Sequence, residues 1–288
     1  MSTRLKLYDR VAEDAASIVI RSYSTSFSAA SRLLGMEVRQ HVENIYALVR
    51  IADEIVDGGA EEAGLDLVAT TRQLNELERE TENAMELGFS SNLIVHAFAL
   101  TAREVSFGAE LTAPFFESMR MDLSQKVHDQ SSFERYVYGS AEVVGLMCLC
   151  AFLHGHDVSD EQRAKLEHGA RALGAAFQKV NFLRDLADDF ETLGRSYFPG
   201  IDIATFTEEE KVRLLDDLDA DLRDAVIGSQ LPSSSKKAVA LAHSLFAQLS
   251  KRIRATPASD LVRTRVRVPD VVKLRLAAAA AIGVSPRV

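Results

Sequence analysis

The 288-residue chain has no tryptophan, two cysteines and only six prolines, the first of them Pro114. Nothing therefore interrupts a helix in its first third. Cys148 and Cys150 stand two residues apart in VVGLMCLCAFL. On a helix that spacing points them apart, which argues against a disulfide. No partner pair suggests zinc, so both read as core thiols of a reducing cytoplasm. The opening MSTRLKLYDRVAED lacks the apolar core of a leader. No window reaches the length of a membrane span, LAAAAAIGV near the end being too short. Strand-like alternation is confined to RTRVRV, no repeat of solenoid period appears, and no glycine-rich dinucleotide fingerprint is present.

What the chain does have is helix formers. Leu, Ala, Glu and Arg abound, 47% of residues are hydrophobic and the formal charge is −9. The expectation is an all-α, globular protein with a sizeable core, of a length that suits one large domain or two small ones. The acidic balance argues against nucleic acid as a partner. An acidic protein that binds a polyanion needs a divalent metal as a bridge.

Two stretches concentrate the acid. QKVNFLRDLADD, from Gln178, sets Asp185 and Asp189 four residues apart with Asp188 between them. YALVRIADEIVD, from Tyr46, repeats the arrangement with Asp53 and Asp57, Glu54 lying beside Asp53. Residues at i and i+4 share a helix face, where like charges repel. Burying them unpaired costs far more, so a cation between them is expected. One such face alone reads as a solvated surface. Two of them, each flanked by apolar residues and each with an arginine just upstream (Arg50, Arg184), point to a shared metal site.

Elsewhere alternatives stand open. The serines of RSYSTSFSAAS read as a capping turn or as a hydroxyl-rich patch facing a diphosphate. Pro114 is expected at a helix start. Asp122 is a surface carboxylate or a third functional acid. In the apolar helix expected from Phe133 to His154, Gly139 and Gly145 indicate tight packing or ligand contact. Glu142, in the same run, needs a partner or an aqueous cavity. A helix is expected over 160–190, and Thr207 with Glu210 forms a capping box. The basic run Arg263, Arg265, Arg267, Lys273 and Arg275 reads as an anionic-lipid surface, as groups pairing internally with the acidic surface, or as part of the site rim. The seven histidines are scattered.

The paired acidic motifs, PFFESMRMDL followed by FERYVYGSAEVVGLM, and the RSYFP loop together resemble the squalene and phytoene synthases, on the phytoene side. The likeness runs from about Ser22 to Pro199, and the tail around Lys273 is similar to the family's last helix. It implies a single all-helical, isoprenoid-synthase-like domain over 1–288 around a central cavity. It implies Mg²⁺-dependent head-to-head condensation of two geranylgeranyl diphosphates, through a cyclopropylcarbinyl diphosphate, to phytoene. Farnesyl diphosphate with a squalene or dehydrosqualene product is the alternative, and a non-catalytic helical partner protein is another. Asp53, Asp57, Asp185 and Asp189 would hold Mg²⁺, with Mn²⁺ a plausible substitute. Tyr136 matches the tyrosine implicated in proton transfer. Ser26, Phe27, Arg50, Gln178, Asn181, Arg184, Arg195 and Tyr197 would line the diphosphate pockets or close over them. Phytoene formation ends in proton loss, so no NADPH is expected. Reversible attachment to the inner face of the membrane is expected of an enzyme with water-insoluble products, and no oligomeric state is implied. Thr25 stands where relatives have a lysine, Glu142 where many have glycine, and the 189–195 loop is one residue longer than usual.

Overall fold

A computed structural model describes residues 3–186, 196–225 and 230–281. The helices are α1 (Arg4–Tyr23), α2 (Thr25–Ser31), α3 (Met36–Val56), α4 (Gly59–Glu62), α5 (Leu67–Leu87), α6 (Leu93–Val105), α7 (Ala109–Ser124) and α8 (Gln130–Val137). After a π-helical turn (Tyr138–Glu142) come α9 (Val143–Leu153), α10 (Asp160–Arg184), α11 (Glu208–Asp224), α12 (Ser233–Ala255), α13 (Ala258–Leu261) and α14 (Asp270–Ala281). Among the described residues there is no strand, only an isolated bridge between Val127 and Ser196. The fold is all-α, as expected.

Small residues set the first half. Ala12, Ala16 and Ile20 bury one face of α1 against α3 and α6. Helix α5 buries Thr70, Leu74, Leu77, Thr81 and Ala84 at alternating spacings of four and three, and stays charged outside. A buried polar layer is matched internally. Asn44 donates to the Thr101 hydroxyl at 3.0 Å, and the His41 ring lies 3.1 Å from that oxygen. A second apolar cluster joins Phe133, Tyr136, Val180, Phe182 and Leu183 to Phe198, Leu215, Leu218 and Ile253. The Thr207–Glu210 capping box opens α11. Lys211, 1% exposed, donates to the carbonyls of Arg254 and Thr256 at 3.2 and 2.6 Å, satisfying the end of α12.

Four expectations need correction. The helix that the apolar pattern suggests from Leu5 to about Leu34 breaks at Ser24, whose hydroxyl caps α2 by accepting from the Phe27 amide at 3.1 Å. Pro114 lies inside α7, in its second turn, rather than at its start. The helix expected over 160–190 ends at Arg184, with Asp185 as C-cap. The stretch Gln130–Leu153 is, by length and composition, apolar enough to cross a membrane, contrary to the reading that no window is. Half of that window is buried inside the bundle. It packs on α7 and α10 through its π-helical turn and on α3 through α9.

Glycines make that packing possible. A Cβ on Gly139 would lie 2.0 Å from the Ser118 hydroxyl and 2.2 Å from the Pro114 carbonyl oxygen. One on Gly145 would meet the Ala170 carbonyl at 2.5 Å, and one on Gly174 the Ala141 carbonyl at 2.5 Å. Close packing is thus the observed reason for Gly139 and Gly145. Glu142 has its partner in Arg171, whose Nε donates at 2.6 Å. We expect Gly139→Ala to destabilise the protein by about 1–3 kcal/mol, the range for overpacking. It should lower the urea midpoint at an unchanged m-value. An unchanged midpoint would contradict the steric account.

Candidate active site

The first acidic wall stands at the C-terminal end of α3. Asp53 lies in its last turn and Asp57 is its C-cap, the Asp57 amide donating to the Asp53 carbonyl at 2.8 Å. The helix dipole makes this end electronegative, so both carboxylates sit where the backbone already repels them. Burial, then the Asp57 charge, push the Asp53 carboxyl well above its ordinary range; Arg50 opposes them, and Asp122 and Glu54 add to the rise. Arg50 is held by an ion pair with Glu54, and its guanidinium lies 4.5 Å from the centre of the Tyr23 ring. Burial works against its charge, but Glu54 and Asp53 outweigh it and its pKa rises.

The second wall stands at the C-terminal end of α10, again against the dipole. Arg184 grips Asp185 from the adjacent position, with Nε–Oδ1 at 2.9 Å. Arg265, eighty residues on, adds Nε–Oδ1 at 2.7 Å. Gln178, Asn181 and Arg184 recur every third residue along α10 and are half-buried. Asp189 and Arg195 lie outside the described residues.

Aromatic rings join the walls. On one side Phe27 of α2 packs 5.8 Å from Tyr46 of α3 and edge-on, at 5.1 Å, to Phe177 of α10. Of Ser26, only its backbone place in α2 is described. On the other side Tyr136 and Tyr197 donate to opposite oxygens of Asp122, at 2.8 and 3.2 Å. Phe182 stacks on Tyr197 at 4.0 Å. His128, itself buried, lies against the pair, 5.1 Å from Tyr136 and 5.8 Å from Tyr197. Burial lowers the His128 pKa, so the ring is neutral near pH 7. Burial, then the charges of Asp122 and Tyr197, push the Tyr136 phenol well above its usual value.

The donors of both walls are carboxylate oxygens, which suits a hard divalent cation that keeps part of its water shell. No group of three or more His, Cys, Asp or Glu side chains placed to hold a metal occurs among the described residues. The first wall nonetheless fits a cation, because without one Asp53 is driven towards its protonated form. Sequence reading missed Arg265 as a partner of Asp185, and left Asp122 open between surface and site. The signal for Asp122 was its place in the apolar MRMDL run. Arg265 had no local signal beyond its charge.

Fold and site together define an all-helical protein with carboxylates ending two helices and an aromatic belt between them. The chain belongs to the squalene/phytoene synthase family, whose sequence profile matches residues 20–271. It is 31% identical over 203 residues to a bifunctional lycopene cyclase/phytoene synthase of Colletotrichum graminicola, covering 65% of this chain and 34% of that one. It is 29% identical over 269 residues to a phytoene synthase of Pseudescherichia vulneris, covering 85% and 84%. For several curated relatives the match spans between 34% and 59% of their own length. A crystal structure of a dehydrosqualene synthase with ligand superposes with a TM-score of 0.78 at 20% identity, covering 94% of this chain and 96% of that one.

Asp53→Asn should abolish turnover of a prenyl diphosphate while stabilising the metal-free protein by a few tenths of a kcal/mol, as for relief of one like-charge pair. The sign follows from linkage. The folded-state pKa lies above the unfolded one, so wild type loses this stability as pH rises past the ordinary carboxylate range. The gain should therefore appear at neutral pH and vanish in acid, read by thermal melts across pH. Retained activity would remove Asp53 from the site.

Proposed function

We propose that the protein joins two molecules of geranylgeranyl diphosphate head to head, through a cyclopropylcarbinyl diphosphate, to give phytoene for carotenoid biosynthesis. The observation that carries the reading is the pair of carboxylate-bearing helix ends, Asp53 with Asp57 on α3 and Asp185 on α10, in a chain of this family. Asp53, Asp57 and Asp185, with Asp189, would hold Mg²⁺ or Mn²⁺, which when bound supplies Lewis-acid neutralisation of the leaving pyrophosphate. Arg50 and Arg184 would present charge to diphosphate oxygens. The half-buried amides of Gln178 and Asn181 offer donors to the same groups. Phe27, Phe177, Tyr136 and Phe182 give the prenyl cation a water-poor wall of ring faces. Proton loss, not hydride addition, ends the sequence, and no reductant enters it.

Purified protein given geranylgeranyl diphosphate and Mg²⁺ should release pyrophosphate and a colourless hydrocarbon with a conjugated triene. Turnover of farnesyl diphosphate alone would move the assignment to the dehydrosqualene or squalene side. Prenyl diphosphate binding without turnover would favour a non-catalytic partner role.

We also propose reversible attachment to anionic lipid. Arg263, Arg267 and Arg275 are exposed, and Val271 and Leu274 are 78% and 70% exposed on α14 beside them. Arg265 and Lys273 are instead engaged with Asp185 and Asp270, so the internal-pairing alternative holds for those two. Each basic residue at an anionic surface contributes up to about 1 kcal/mol. Sedimentation with anionic vesicles should weaken as salt shortens the Debye length, and should fail with neutral ones. Changing Arg263, Arg267 and Arg275 to Gln without effect would rule this face out.

A further inference from the structure

Asp122 occupies the last turn of α7, with a tyrosine hydroxyl on each of its oxygens. The two tyrosines come from distant parts of the chain. Tyr136 precedes the π-helical turn, and Tyr197 follows the bridge that fixes Ser196 to the Lys126 carbonyl at 2.8 Å. Both rings are buried, at 3% and 8% exposure. The Tyr136 backbone is fixed as well, because the Ser118 hydroxyl donates to its carbonyl at 3.2 Å. Ser118 is one turn before Asp122 on α7, so one helix sets both the ring's height and its hydroxyl's direction. The group faces the first acidic wall: the Asp122 charge is felt at Asp53, and the Asp57 charge at Tyr136.

A half-buried carboxylate that receives two phenols is an acceptor whose occupants can each pass it a proton. We infer that Asp122 is a positioning residue for the final deprotonation, acting through Tyr136 and held in place by Tyr197. The inference rests on the condensation proposed above. In this step a C–H bond beside the final carbocation breaks and its electron pair becomes the new C=C bond. The proton goes to the Tyr136 oxygen, while the Tyr136 O–H proton moves to the nearer Asp122 oxygen. One positive charge leaves the substrate and one negative charge leaves the carboxylate. Asp122 then releases the proton to water or to the departing pyrophosphate, and the phenol is restored.

The test reads product partition, which a purely structural role would not move. Asp122→Asn keeps the shape and one acceptor oxygen but cannot take the proton. With the prenyl diphosphate that wild type consumes, the first pyrophosphate release should continue within a few-fold. The ratio of hydrocarbon to water-quenched prenyl alcohols should fall about 10²-fold, as for loss of a proton-transfer group. Asp122→Glu should restore part of the ratio. Tyr136→Phe should give the same shift, and adding Asp122→Asn to it should change nothing further, since both act on one proton. If Asp122→Asn does not fold, as judged by its melt, the Tyr136→Phe ratio decides. An unshifted ratio in the folded variants, or a parallel fall of all products, would overturn the role of Asp122 while leaving the condensation standing. No turnover by wild type would overturn both.

Discussion

Carboxylates at the C-terminal ends of helices are the constraint on which the rest of this molecule turns. The last carbonyls of α3 and α10 already present partial negative charge, and the chain adds Asp53 and Asp57 to one end and Asp185 to the other. Neither arrangement lowers the energy of the fold. Each wall compensates in its own way. At α3 burial and the Asp57 charge push the Asp53 carboxyl well above its ordinary range, and Arg50 opposes them. At α10 the charge is relieved by two guanidiniums on Asp185. A segment that violates local electrostatic preference while its neighbours obey packing rules is where function is expected to reside.

The packing that positions those two helices runs through segments with little charge. α3 and α10 do not pack closely against one another among the described residues; α9 packs on both, and the π-helical turn before it packs on α10 and α7. Gly139, Gly145 and Gly174 let those segments approach α7 and α10 to backbone contact. The π turn shifts the register of the helix at the point where Tyr136 meets Asp122, as inserted residues in helices do at functional sites. Stability and site geometry are therefore coupled through one interface. A methyl group added at Gly139 would press on Ser118, the residue that fixes the Tyr136 carbonyl.

Much of this could be read from local pattern. Helical periodicity places α3, α5, α9 and α10, the four-residue spacing marks Asp53 and Asp57 at the end of α3, and an isolated Glu142 in an apolar run demands a partner, found in Arg171. Local pattern misled where one side chain overrides periodicity. Ser24 turns a long helix into two by capping the second, and Asp185 ends α10 where apolar spacing continues. Pattern was silent where partners are remote. Asp122 meets Tyr197 across 75 residues and Asp185 meets Arg265 across 80. Such pairs carry no periodic signature, because only the packed bundle brings them together.

In the proposed reaction the arginines on Asp185 would serve both the folded chain and its ligand. Arg184 and Arg265 satisfy a carboxylate that would otherwise stand uncompensated at a helix end. They are also the kind of group that grips diphosphate oxygens in paired geometry. Arg265 is 41% exposed in its side chain and Asp185 only 19%, so the outer arginine can turn to an incoming anion while the aspartate stays in place. The contact that stabilises the chain without ligand is thus built from groups that a polyanion and its cation would share out between them. That exchange costs less than exposing bare charges at two helix ends. It is a physical reason for a basic segment, in an acidic chain, to reach back to the second acidic motif.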